Sequence, residues 1–173
     1  FKIYCDNITL KDFIDVKNSK QINFYQNLVQ FGSISTLELV SNQLKNGLSK
    51  SELTQFINIK GKDHESLLHF AALNKSCEDS VKFLVNFIES ELGLDQLREM
   101  LLERHPYHFI PWFRAMKFNQ NVKVVELFQS IYEQTISEDE IKDILRTTNL
   151  IQFYYSSVPV STIPKNSLTV IRK

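Results

Sequence analysis

Leu53-Thr54-Gln55-Phe56-Ile57-Asn58-Ile59-Lys60 repeats the apolar pattern of Leu10-Lys11-Asp12-Phe13-Ile14-Asp15-Val16-Lys17, 43 residues further along the chain. Every apolar position of one stretch falls on an apolar position of the other. A third copy starts at Leu97 with Met100 and Leu101, and a fourth at Ile141 with Ile144 and Leu145, each 44 residues after its predecessor. A period of this length implies that one supersecondary unit is stacked several times, so it takes precedence over any local reading.

The residues ahead of each copy predict how it starts. Four positions before the leading apolar residue stand Asp6, Ser49, Gly93 and Ser137, all types favoured at a helix N-cap. Before each of these comes Cys5, Leu48, Leu92 or Ile136, placing an apolar residue at N′ opposite the leading residue at N4, as in a hydrophobic staple. Glu52 and Glu140 follow Ser49 and Ser137 by three residues and complete capping boxes. Each copy therefore reads as a short helix.

A longer helix precedes each later copy. Val81, Leu84, Val85 and Ile88 fall at i, i+3, i+4 and i+7, and so do Val124, Leu127, Phe128 and Ile131. Leu37, Val40 and Leu44 fit the same template with one polar lapse, Ser41. A third segment lies between each short helix and the next long one: Asn23 to Val29, Ser66 to Ala72 and Ile110 to Met116.

Ser66-Leu67-Leu68-His69-Phe70-Ala71-Ala72 resembles the Thr-Pro-Leu-His-x-Ala signature that opens the first helix of an ankyrin repeat, and Ile110-Pro111-Trp112-Phe113-Arg114-Ala115 keeps its Pro and Ala. The resemblance implies an all-α fold: a right-handed-type helical solenoid of about three and a half ankyrin-like units of 43 to 44 residues, with one additional helix per unit. It covers residues 1–149, leaving 150–173 as a partial helix, Leu150 to Tyr155, and an extended tail containing Pro159 and Pro164. The additional helix stands where the family has its hairpin, so irregular loops, not strands, are expected before each first helix. His69 is expected to tie turns together through hydrogen bonds, and Trp112 to lie in the core.

Composition excludes several function classes. Twenty basic and twenty acidic side chains cancel, so no long-range field attracts nucleic acid or anionic lipid. No apolar run spans a bilayer. Cys5 and Cys77 make neither a disulfide framework nor a metal-ligand set and read as two reduced thiols. Asn7-Ile8-Thr9 and Asn74-Lys75-Ser76 match the short glycosylation pattern, which recurs by chance in Asn-rich chains. A cytoplasmic location is favoured, without a signal that names a compartment.

Chemistry finds no foothold in the motifs. Among His64, His69, His105 and His108, the pair His64 and His108 occupies equivalent places in adjacent units, too far apart to share one zinc ion. No phosphate loop, nucleophile elbow or metalloprotease helix occurs. The acidic runs at Glu89 to Glu91 and Glu138 to Glu140 read as solvated faces and helix starts. No catalytic residue, cofactor or metal is expected.

What remains is a surface for another protein. In ankyrin-like arrays partners dock on the first helices and the loops before them, which nominates Ser19, Lys20 and Gln21, then Asp63, His64 and Glu65, then Tyr107, His108 and Phe109. Tyr107 and Phe109 lead because aromatics dominate binding hot spots, although they could equally staple a loop to the core. The chain starts within a unit, so a longer parent protein is expected. Two other classes compete: a structural or targeting segment of a multidomain effector, toxin or enzyme, and a small metal-dependent hydrolase, which would need a deep polar pocket.

Overall fold

A computed structural model describes residues 16–19, 21–61, 63–75, 78–104 and 109–147. The first short helix of the sequence reading, after Asp6, lies outside these residues, as do Cys5, Cys77 and the tail from 148 on. The described residues are all-helical. Nine helices follow in three trios: α1 (Phe24–Phe31), α2 (Ile34–Gly47), α3 (Lys50–Ile57); α4 (Leu67–Ala71), α5 (Glu78–Leu92), α6 (Leu94–Leu102); α7 (Pro111–Phe118), α8 (Val122–Thr135) and α9 (Glu138–Thr147).

The starts follow from local hydrogen bonding. Ser49 caps α3 through its hydroxyl while the Glu52 carboxylate accepts from the Ser49 N–H at 3.0 Å, the reciprocal arrangement of a capping box. Ser137 and Glu140 repeat it at α9. Gly93 takes the cap of α6 with φ +91°, a left-handed conformation that favours glycine. Leu53, Leu97 and Ile141 each stand fourth in their helix, the first two buried and the third half-buried.

Packing links like to like. The first helices touch in the order α1, α4, α7, and the long second helices in the order α2, α5, α8. The third helices fill in beside them, α3 against α5 and α6 against α7 and α8. Leu84, Ile88, Val124 and Phe128, the inward stripe expected of α5 and α8, are wholly buried. Each such side chain stabilises the fold by about 1.5–3 kcal/mol.

The polar lapse on α2 has a partner. Ser41 is fully buried and donates to the Leu37 carbonyl at 2.7 Å, so the Tyr25 hydroxyl, also 2.7 Å away, must donate to Ser41. Burial pushes the Tyr25 phenol well above its ordinary range. Tyr25 also packs its ring 5.3 Å from that of Phe56, joining α1 to α3. Trp112 is buried as expected, 5.4 Å from Tyr132 of α8.

Candidate functional site

Two of the three loops expected to meet a partner, those before α1 and α4, share one construction. Before α1, the Asn18 N–H donates to the Ile22 carbonyl at 3.0 Å and the Gln21 N–H to the Asn18 carbonyl at 2.8 Å. Before α4, the Gly61 N–H donates to the Glu65 carbonyl at 2.9 Å and the His64 N–H to the Gly61 carbonyl at 3.1 Å. Gln21 and His64, 43 residues apart, both have φ 59°. An isolated antiparallel bridge, Lys17 to Asn23, closes the first loop, and no strand forms among the described residues. Gly61 fits because a Cβ there would sit 3.1 Å from the Phe70 ring.

Directly after each loop, a capping pair reaches in two directions. Gln26 accepts from the Asn23 N–H with its side-chain oxygen at 2.8 Å and donates its Nε2 to the Ile59 carbonyl of the following loop at 3.1 Å. His69 stands in the same place on α4. Its Nε2 lies 2.9 Å from the Phe109 carbonyl, which can only accept, so Nε2 carries a proton; Nδ1 lies 2.8 Å from the Ser66 hydroxyl and takes its hydrogen. Both nitrogens serve the framework. Asn74 and Asn119 add a second row: Asn74 Nδ2 donates to the Val29 carbonyl at 2.8 Å, and Asn119 Nδ2 to the carbonyls of Ala72 and Asn74 at 2.9 and 2.8 Å.

No protein-family model matches the chain, and neither a curated protein nor a solved structure does.

The nominated residues divide by exposure. Ser19, Gln21, Asp63 and His64 face solvent. Glu65 turns inward, where its carboxylate pairs with the Arg114 guanidinium of α7. Burial lowers the Arg114 pKa, with nearby Asp63 opposing the shift. Phe109 is half-buried against the core, its ring 6.1 Å from Phe118 and edge-on to it, and Lys117 Nζ lies 4.7 Å above the Phe109 ring. The Phe109 carbonyl is held by His69. Lys20, Tyr107 and His108 lie outside the described residues.

Two grooves were not expected from sequence. One, of about 500 Å³, is lined by Gln30, Phe31, Leu73, Lys75, Arg114 and Phe118 at the ends of the first helices. The other, also about 500 Å³, runs between α5 and α8 with Leu94 at one end and mixed polar walls. The signal for the first was available: Phe31 and Phe118 occupy corresponding places, but the apolar rhythm of the first helices ends two residues short of both.

The remaining candidate chemistry is accounted for by folding. Glu140 belongs to the α9 cap and pairs with Arg98, while Glu138 pairs with Lys142 at 2.8 Å. Asn74 is wholly buried with its amide committed, so the glycosylation pattern at 74–76 cannot accept a glycan in this fold. Among the described residues, no group of three His, Cys, Asp or Glu is placed to hold a metal ion, and no helix is long and apolar enough to cross a membrane.

Proposed function

We propose that this chain is a protein-interaction module of ankyrin-like repeats, each with an additional third helix. One observation carries the reading. The turns at Asn18 to Ile22 and Gly61 to Glu65 have the same two hydrogen bonds and the same left-handed residue, and each launches a first helix whose third residue bonds to the next loop. A chain that rebuilds one turn at a fixed interval presents similar loops in a row, and a row of loops on packed helices is a surface for a macromolecule. The two loops contribute Ser19 and Gln21, and Asp63 and His64, to solvent, which suits recognition at an extended face. No catalytic role is assigned: both His69 nitrogens are engaged by Ser66 and Phe109, and Glu140 by the α9 cap and Arg98.

The test is affinity capture from an extract of the source cells with the intact chain, followed by the variant Asp63→Ala, His64→Asn, Tyr107→Ala. His64→Asn keeps a residue that tolerates positive φ. Retention of a specific protein that drops by about tenfold in the folded variant supports the reading. Capture no better than that of an unrelated helical protein of equal size refutes it.

A further inference from the structure

The three first helices differ in length. α1 and α7 have eight residues each and α4 has five. Beyond Ala71 the backbone tightens: the Leu73 and Asn74 N–H groups donate to the carbonyls of Phe70 and Ala71 at 3.0 and 2.9 Å, an i to i−3 pattern that ends an α-helix. The tightening delivers Asn74 to the Val29 carbonyl. Where α1 and α7 end in Phe31 and Phe118, the middle trio therefore has a buried amide, and among the described residues no side chain takes the corresponding space on the surface.

That vacancy is the groove of about 500 Å³ at the helix ends. Phe31, 70% exposed, and Phe118, 48% exposed, face it from either side, with Leu73 and Lys75 between. Its size lies within the roughly 300–1,000 Å³ of ligand-binding clefts. Exposed aromatics grouped around a concavity mark a binding surface more strongly than the same residues scattered singly. The ionisable groups in the lining are Lys75 and Arg114, both cationic. Glu65 offsets Arg114, but Lys75 is exposed and no ion pair engages it among the described residues; Lys117 Nζ stands 5.5 Å from the Phe118 ring centre. Apolar walls with a positive rim complement a large apolar side chain beside a carboxylate. A polyanion would need many more cations, and the net charge of zero supplies no field for one.

We propose that this notch receives a short peptide segment of a partner protein in which a bulky apolar residue is flanked by aspartate or glutamate. The proposal rests on the scaffold reading and goes beyond it by choosing the helix ends over the loops. It is tested by panning a displayed library of random dodecapeptides on the folded chain and measuring the affinity of the enriched peptides by fluorescence anisotropy. The peptides should carry an acid within two positions of a bulky apolar residue. Affinity should fall by about tenfold for Phe31→Ser with Phe118→Ser, and by severalfold for Lys75→Glu, more at low salt. Leu39→Ser, an exposed position on α2 outside the notch, should leave it unchanged. Lys75→Glu changes a solvent-facing side chain, so it stays informative if the aromatic pair is needed for folding. Enriched peptides without acids, affinities unmoved by the notch substitutions, failure to enrich any peptide, or tighter binding to phosphatidylserine vesicles than to peptide would each overturn the proposal. Capture that depends on Asp63 and His64 but not on Phe31 and Phe118 would sink the notch and leave the scaffold standing.

Discussion

The seam between the first and second trios and the seam between the second and third use the same neutral hydrogen bonds and differ in charge. On the first seam Gln26 reaches the Ile59 carbonyl, Asn74 reaches the Val29 carbonyl, and one ion pair, Lys45 to Glu91 at 2.6 Å, spans the surface among the described residues. On the second, His69 reaches the Phe109 carbonyl and Asn119 the carbonyls of Ala72 and Asn74, joined by the pairs Lys60 to Glu103, Arg98 to Glu140, Arg114 to Glu65 and Lys123 to Glu78. What the seams share is buried and directional; what distinguishes them is mostly at the surface. Buried polar groups must be satisfied wherever helices meet, whereas an exposed ion pair contributes about 0–1 kcal/mol and can be dropped. The amides and the imidazole therefore set the geometry, and the charges adjust it.

The strongest way to break this comparison is to remove a shared element. His69→Ala should cost about 3 kcal/mol, because it opens a cavity and leaves the Ser66 hydroxyl and the Phe109 carbonyl without their partner. His69→Gln should recover more than half of that loss, since Gln26 does the same work one trio earlier. Urea denaturation of the two variants decides the matter. Equal midpoints would mean that the two positions are not interchangeable and that the seams differ in more than charge.

A smaller effect is expected from Asn119→Ala, about 2 kcal/mol, for two carbonyls deprived of a donor at a buried site. Arg98→Ala, on the same seam, removes an ion pair whose partners are about two-fifths exposed and should cost under about 1 kcal/mol. If the arginine substitution proved the costlier of the two, the ranking of amide over charge would fail.

Much of the helical plan was legible because capping and hydrophobic spacing are local. Ser49, Gly93 and Ser137 stand where the third helices start, and the expected apolar stripes of α5 and α8 face inward. The cap that α1 and α4 share was hidden, because Asn23 with Gln26 and Ser66 with His69 share no letters while in each pair the N3 side chain accepts from the N-cap N–H. A search for N-cap and N3 pairs by hydrogen-bonding capacity, not by identity, would have found it. The candidate surface was less legible. Glu65 sits beside exposed Asp63 and His64 in sequence, yet it is drawn inward by an arginine 49 residues away, a contact that no local rule anticipates. The notch is hidden for the same reason: it arises from what α4 lacks relative to its neighbours, and its cause is the amide of Asn74 bonding to a carbonyl 45 residues before it.

The least effect, and the one that separates the seams most cleanly, is a response to acid. The Ser137 hydroxyl, with Arg98 and the Ser137 N–H, holds the Glu140 carboxyl below its ordinary value of 4.5, and the Glu78 carboxyl is lowered by its own backbone N–H and by Lys123. A carboxyl with a lowered pKa in the folded state adds stability that is present above its unfolded pKa and is lost as the pH falls through the folded one. Both partners, Arg98 and Lys123, lie across the second seam, so acidification should loosen α7 to α9 before α1 to α3. Hydrogen exchange at pH 7 and near pH 4 would show protection falling first in the third trio. In Glu78→Gln with Glu140→Gln the order of loss should level out, because the amides no longer titrate. If the third trio still opened first in that variant, its acid sensitivity would have to come from other carboxylates, and the division of labour between neutral frame and surface charge would need to be redrawn.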